Sequence, residues 1–505
     1  MTASPEAVPP RPSLPRWRTP AIIIGAGCLL ALLSFGIRAS FGLFLAPMSG
    51  DFGWGREVFA FAIAVQNLLW GLCQPIAGAV ADRYGSARVL AGGALIYAAG
   101  LFLMAGASTP GLLTFSTGLL VGVGVAGASF AIVLAAFARL MPEDKRSWAL
   151  GLGTAAGSAG QFFVVPLGQA FISAYGWSMA LTLFGFLALV MVPLAAALTG
   201  RSEHGSGPQQ SIGGALREAF KHPSYNLLTL GFFVCGFHVA FIQTHLPPYI
   251  TDMGLDAGLA AWALALVGGA NIVGAFTAGY LGGRYSKKYL LSALYFARAV
   301  VIALFFLSPI SEASVLLFAA AMGLLWLSTV PLTSGLVAQF FGTRYMAMLF
   351  GVVFFSHQVG SFLGVWLGGY FFDTTGSYDV VWWGSVALGL LAALIHWPIR
   401  EAPVARLAGG HRLALNGSGG GTSGAVTLAV RPERAEIVPP EAEGLPATVG
   451  AVVYMGTDTT YHLTLDDGTP FVVRSQNHEG ARFDLASGAA VKVRIAPSAI
   501  QRLAD

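Results

Sequence analysis

AIIIGAGCLLALLSFGIRASFGLFLAPM, residues 21–48, holds a single charged side chain, Arg38, in an otherwise uncharged run. A helix needs ~20 consecutive apolar residues to cross the hydrocarbon core of a bilayer, and this run is longer than that. At ~1.5 Å per residue, Arg38 lies roughly 25 Å along a helix that starts at Ala21, well inside the span. An arginine at the centre of a membrane helix costs about 2.5–3.5 kcal/mol, so something must hold it there.

Comparable runs recur outward from this one. The chain is 55% hydrophobic and 10% charged, with a mean hydropathy of +0.69. Soluble domains average ~25% charged residues, so the class is integral membrane. The runs are of helical rather than β-barrel length. Twelve are predicted, at about 21–47, 57–81, 88–107, 112–139, 148–174, 177–199, 225–250, 258–283, 289–308, 313–340, 346–372 and 379–399. The 65 glycines suit helices that approach closely in lipid. A net charge of +4 is too small to indicate a nucleic-acid partner.

Basic residues fall in alternate loops: Arg11, Arg16 and Arg18; Arg83 and Arg88; Arg139, Lys145 and Arg146; Arg201, Arg217 and Lys221; Arg284, Lys287 and Lys288; Arg344. The intervening loops hold one basic residue, Arg56, among Asp51, Asp252, Asp256, Glu312, Asp373 and Asp379. The asymmetry predicts both termini on the cytoplasmic side, and the even number of spans agrees by placing them on the same side. Cys28, Cys73 and Cys235 all lie in apolar runs and read as buried thiols. The sequence has no H-E-x-x-H, C-x-x-C or G-x-S-x-G and no dinucleotide fingerprint in a βαβ setting, its Gly-rich patterns lying inside spans, and none of its five lysines sits in a G-K-S/T step. The expectation is no enzyme, no metal, no cofactor and no nucleotide.

The polar interval 201–223 divides the spans six and six. At an offset of 200, GIRASF (36–41) faces GFHVAF (236–241), pairing Arg38 with His238; at 201, GAVADRY (78–84) faces GYLGGRY (279–285). Matches in two successive helices at nearly one offset indicate a parallel repeat, one of the known transporter architectures.

GAVADRYGSAR (78–88) resembles the loop signature G-x-x-x-D-R-x-G-x-R of the major facilitator superfamily. Gly78 allows helices to approach, while Asp82, Arg83, Gly85 and Arg88 form a conformational latch that Arg284 answers in the second half, where Gly283 replaces the acid. Within the superfamily, GWGREVFAFAIA (53–64), THLPPYITDMG (244–254) and HQVGSFLGVWLGGYFFDTTGSYD (357–379) are similar to the monocarboxylate-transporter and oxalate–formate-antiporter branch. Its members often carry a basic residue where Arg38 stands, and an Asp-x-x-x-Arg pair where this chain has Asn271 and Ala275. The resemblance covers about residues 20–400. It implies that helices one, two, four and five face seven, eight, ten and eleven across a central cavity.

After Arg400 the composition changes. LNGSGGGTSG (415–424) reads as a flexible linker, and short alternating runs follow, with a type I′ hairpin signal at Asp467-Gly468. RPE (431–433) and YMGTDTTY (454–461) resemble the TOBE (transport-associated, OB-type) domain that ends ATPase subunits of ABC importers. An oxyanion or an ABC-transporter partner is the ligand this implies, beside a regulatory contact or an inert fusion.

The prediction is thus an all-α membrane protein with the twelve-transmembrane-helix major-facilitator fold, plus a small OB-like C-terminal β-barrel. Its parts are an N-terminal tail (1–20), two six-helix bundles (21–200 and 224–400) joined by a loop (201–223), a linker (401–424) and the barrel (425–505).

Counted from span ends, Arg38, Gln66, Asn67, Gln161, His238, Asn271, Arg298, His357 and Gln358 fall near mid-depth, where transporter sites lie. Arg38 is planar and permanently cationic, suited to a carboxylate, and no Asp or Glu lies inside a span to neutralise it. A small organic anion supplies the missing partner; a structural arginine bonded to helix carbonyls is the alternative. His238 and His357 can donate to a carboxylate, relay a proton or tie helices together. His245, nearer the outside, is a candidate gate, and Arg298 with Tyr295 a candidate gate or relay. Gln66, Asn67, Gln161, Asn271 and Gln358 line the cavity or bond between helices. The function expected is a secondary transporter of the bacterial inner membrane for a small organic anion, a monocarboxylate first. Proton symport, exchange against a counter-anion and uniport stay open. The rivals are an exporter of amphipathic compounds and a membrane-anchored sensor or assembly component acting through the barrel.

Overall fold

The computed structural model describes residues 18–141, 143–199, 212–341, 346–401, 404–406, 412–414, 428–442, 444–454, 458–476, 485–496 and 499–502. The tail before Arg18, residues 201–211 of the central loop, the 415–424 linker and residues 455–457 of the TOBE-like stretch lie outside the described residues. Two units pack separately: 1–333 with 348–399, and 334–347 with 400–505.

The first half comprises α1 (Pro20–Ala39), α2 (Gly42–Phe52), α3 (Arg56–Tyr84), α4 (Ser86–Ala105), α5 (Pro110–Leu113), a π-helical stretch (Thr114–Val121), α6 (Gly122–Gly127), α7 (Phe130–Leu140) and α8 (Glu143–Ala195). The second comprises α9 (Ile212–Lys221), α10 (Pro223–Asp252), α11 (Ala257–Gly282), α12 (Lys287–Leu307), α13 (Glu312–Leu325), α14 (Thr329–Phe341), α15 (Met346–Thr375) and α16 (Asp379–His396). Among the described residues, 11 helical stretches are long and apolar enough to span a membrane. The longest, Gly151–Leu198, is 48 residues, far beyond one crossing. Gly176 divides it at φ +78, a left-handed backbone that glycine adopts without a Cβ penalty, and the spans become twelve.

Local chemistry explains the boundaries. Pro20 opens α1 with its missing N–H, and the Thr19 hydroxyl accepts from the Ile22 N–H at 3.3 Å. Arg18 donates to the Ala197 carbonyl at 3.2 and 3.0 Å and to Thr199 at 2.5 Å. The first and last spans of the first half are thereby tied at one end, and burial lowers the Arg18 pKa. Three spans are interrupted: between α1 and α2 at Ser40–Phe41, between α6 and α7 at Ala128–Ser129, and between α13 and α14 at Trp326–Ser328.

Close approach sets where glycine is required. A Cβ on Gly160 in α8 meets the Leu32 carbonyl oxygen of α1, and one on Gly236 in α10 meets the His357 carbonyl of α15. A carbonyl cannot rotate aside as a side chain does. Glycine-to-alanine changes in an open helix position gain ~1 kcal/mol, whereas overpacking costs about 1–3 kcal/mol. Gly160→Val is therefore expected to lower the unfolding temperature in detergent, while Gly25→Ala, whose Cβ meets nothing within 4 Å, leaves it level or higher.

In the second unit, β1 (Val404–Arg406) pairs with β2 (Arg412–Ala414) inside the stretch expected to be linker. Then follow β3 (Leu428–Val430), β4 (Ala435–Val438), β5 (Leu445–Tyr454), β6 (Asp458–Leu465), β7 (Pro470–Gln476), β8 (Ala490–Ile495) and β9 (Ile500–Arg502). The main sheet runs β4-β8-β5-β6-β7, wholly antiparallel, and β7 returns towards β4 to make a nearly closed barrel. Val449, Leu463, Val473, Val491 and Val493 fill it. The hairpin lies at Asp467-Gly468, but its type differs from the expected I′. Type I′ needs positive φ at both central residues, and here Gly468 alone has it, at +82. Gly468 donates to the Leu465 carbonyl at 2.8 Å, giving a type I turn closed by a left-handed glycine.

Candidate functional site

Arg38 lies in the last turn of α1, where the helix dipole favours a cation and the chain breaks at Ser40. Its Nη2 donates to Asn67 Oδ1 of α3 at 2.6 Å, and its Nη1 reaches Gln243 Oε1 of α10 at 3.5 Å. Asn67 Nδ2 in turn donates to the Ile63 carbonyl at 2.9 Å, so both ends of that amide are engaged and it steers the guanidinium. The guanidinium carbon sits 4.5 Å from the centre of the Trp70 ring. Nε is buried without a partner, and among the described residues no carboxylate pairs with Arg38.

Two small cavities flank this side chain. One, between α1, α3 and α10, is bounded by Phe41, Ile63, Gln66, Ala240, Gln243 and Thr244; the other, between α1, α3 and the α6–α7 break, by Ser34, Phe35, Trp70, Ser129 and Phe130. The first brings the two halves of the helical unit together at a cation.

The remaining mid-depth residues divide by location. Gln66 joins Arg38 in the first cavity and donates to the Thr117 carbonyl at 3.3 Å. Gln161 donates to the Leu264 carbonyl at 2.8 Å and Asn271 to Ser158 Oγ at 2.8 Å, so both lie on the seam between α8 and α11. Gln358 is buried against Gly71 with both amide ends unpaired. His238, Asn271, His357, Arg298 and Tyr295 bound neither cavity beside Arg38. His238 Nε2 bonds the Ser385 carbonyl of α16 at 2.8 Å. His357 lies between Phe232 and Phe354, with centroids 5.0 and 5.7 Å away. Tyr295 stacks on His396 at 4.9 Å. Arg298, fully buried, donates to the Leu325 carbonyl at 3.1 and 2.7 Å and to the Trp326 carbonyl, closing the end of α13 where the span breaks. Cys235 approaches Thr329 Oγ1 at 3.3 Å beside the same break, and no disulfide forms among the three cysteines.

Asn271 also accepts from the Leu327 N–H at 2.8 Å, so one side chain links the α13–α14 break to the opposite half. Asn271→Ala strands that N–H. A buried unpaired donor costs about 1–3 kcal/mol, and the variant is expected to unfold at a lower temperature than wild type in detergent.

Sequence reasoning missed Gln243 and Trp70, and left Arg56 as an isolated loop charge. Arg56, at the start of α3, binds both oxygens of Asp252 at the end of α10, each at 2.6 Å, and donates to the Tyr378 hydroxyl at 2.8 Å. Its guanidinium lies 3.8 Å from the Phe372 ring centre. The backbone N–H groups of Arg56 and Glu57 donate to the Asp373 carboxylate at 2.9 and 2.8 Å, which satisfies two of the free N-terminal donors of α3 from the opposite half. His245 continues the cluster, bonding Tyr378 at 3.2 Å and the Val365 carbonyl at 2.8 Å. This end of the bundle is closed by a network that crosses between halves.

Of the residues read as a latch at the opposite ends of the spans, the Asp82 side chain lies outside the described residues. Gly85 turns at φ +97, which favours glycine. Gly78 differs from expectation: a Cβ there meets nothing within 4 Å, so no close helix contact requires it. Arg83 and Arg284 lie over the rings of Tyr84 and Tyr280, at 5.4 and 4.4 Å, and Arg88 is exposed.

The profile of the Major Facilitator Superfamily matches residues 27–365, and that of the TOBE domain residues 428–503. The chain is 27% identical to the uncharacterized MFS-type transporter YcxA of Bacillus subtilis, over 68% of its own length and 86% of that protein. It is also 27% identical to monocarboxylate transporter 13 of Bos taurus, over 74% of its own length and 89% of that protein. Among solved structures, the nucleoside transporter NupG overlays with a TM-score of 0.63 at 15% identity, covering 75% of this chain and 99% of that one. An inward-facing bacterial homolog of the human lysosomal transporter Spinster overlays at 0.62 and 14% identity, covering 77% and 100%.

Proposed function

The chain belongs to the Major Facilitator Superfamily and carries a TOBE domain, and from that we propose that it moves a small organic anion, a monocarboxylate, across the bacterial inner membrane by alternating access. The observation that carries the substrate class is Arg38: a buried guanidinium with an unpaired donor and, among the described residues, no acid beside it, lining a cavity between the two halves. A fixed cation in a low-dielectric site favours an anion, and a planar donor fork matches a carboxylate. The similarity to monocarboxylate transporter 13 supports the same class. Substrate neutralises the charge and so eases the rocking of one half against the other. The charge distribution of the loops supports cytoplasmic termini, which makes the Arg56–Asp252 end the outer one.

The test is uptake of labelled lactate, pyruvate, formate, oxalate and glycolate into proteoliposomes, with and without an inward proton gradient. Saturable uptake of an acid supports the reading, and the gradient reports the coupling. Uptake of neutral amphipathic compounds instead, indifferent to charge, contradicts it.

A further inference from the structure

The first cavity holds two buried amides whose orientation their neighbours fix. Gln66 is 1% exposed, and its Nε2 must face the Thr117 carbonyl, which can only accept. Its oxygen, Oε1, is therefore the end left without a partner. Gln243, 5% exposed, turns its oxygen to Arg38, which can only donate, and Nε2 is left free. Asn67 already has a partner at each end of its amide. The residues lining the cavity thus carry two unsatisfied donors, Arg38 Nε and Gln243 Nε2, and one unsatisfied acceptor, Gln66 Oε1, among the apolar walls of Phe41, Ile63 and Ala240.

A carboxylate satisfies the donors and leaves the acceptor stranded. We propose that the substrate is a small 2-hydroxy acid, with its carboxylate on Arg38 and Gln243 and its hydroxyl donating to Gln66 Oε1. This rests on the carboxylate reading above and goes further, because it assigns discrimination to one residue. A 2-oxo acid has the same charge and nearly the same size but carries only acceptors. It sets a carbonyl oxygen against Gln66 Oε1 and leaves that buried atom unpaired. The small cavity keeps the hydroxyl next to the carboxylate.

The experiment measures initial uptake of labelled lactate against pyruvate, and 2-hydroxybutyrate against 2-oxobutyrate, by the full chain in proteoliposomes. Wild type and Gln66→Met are compared. The expected result is a preference for the hydroxy acid of about tenfold or more in wild type. In Gln66→Met the ratio falls to near one, with the 2-oxo acid still carried. The ratio is taken within one preparation, so it does not depend on how much of the variant folds. Equal uptake of both acids by wild type overturns the inference and leaves the carboxylate reading standing, as does a preference that survives in Gln66→Met. Transport of neither acid overturns both.

Discussion

Arg38→Ala is expected to abolish saturable carboxylate uptake, with apparent affinity falling about 30-fold or more. Truncating one partner of a buried, hydrogen-bonded charge pair costs about 2–5 kcal/mol, and 1.4 kcal/mol is a factor of ten. Lysine should restore part of the loss, since it returns the charge without the planar fork that addresses Asn67, Gln243 and a carboxylate together. Stability is expected to move the other way. The protein buries a guanidinium with an unpaired Nε and, among the described residues, no acid, a desolvation cost that folding must offset. Arg38→Met, close in volume and uncharged, strands the Asn67 and Gln243 oxygens but removes the larger cost of the buried charge, and should therefore unfold at a temperature equal to or above that of wild type. A site that is unfavourable when empty and satisfied by its ligand is the pattern expected of a functional cation. A large fall in melting temperature for Arg38→Met would instead assign Arg38 a structural role.

Arg56→Ala should unlock the end of the bundle where the two halves meet. The side chain is 13% exposed and makes a bidentate pair with Asp252, a bond to Tyr378 and a contact with the Phe372 face. Charge-assisted bonds and the ring contact together are worth about 2 kcal/mol in this half-buried setting, enough to shift a two-state ratio about 30-fold. Alternating access requires that this end close once per cycle, so net uptake should fall by about that factor. The populations are readable from spin labels at Gly50→Cys and Met253→Cys in a background without the native cysteines. Arg56→Ala is expected to add a longer distance component, and an unchanged distribution would remove the gating role.

The twelve spans are legible in the sequence because hydropathy sums locally: each run needs only its own residues to declare itself. Gly176 shows the same thing, since its turn separates the runs 148–174 and 177–199 even though the helix is otherwise continuous through it. The barrel is legible from alternation, with Val491 and Val493 pointing inward on either side of Lys492. Its turn type is not, because one Asp-Gly step serves two hairpin geometries that differ in loop length. Within the site, Arg38 announces itself by cost alone, and Gln66 and Asn67 by depth. Gln243 does not. From Val234 to Ile250, α10 is buried on all sides, so no polar face marks which side chains look towards Arg38. The repeat pairs Arg38 with His238, yet His238 bonds Ser385, and the residue of α10 that reaches Arg38 is five positions further along. Arg56 stands out as the lone base among acidic loops, but only packing decides that Asp252 and Asp373, rather than Asp51 or Asp379, hold it.

Equilibrium binding to the purified full chain addresses the carboxylate at Arg38 without the complications of transport. Labelled lactate would be titrated onto wild type, Arg38→Ala and Arg38→Met in detergent, with displacement by unlabelled lactate or by lactamide, its neutral counterpart. The expected result is saturable binding to wild type that lactate displaces and lactamide does not, lost in both variants while both remain folded. Binding that persists in the folded variants, or that lactamide displaces as well as lactate, would contradict the role of Arg38 as the carboxylate's partner.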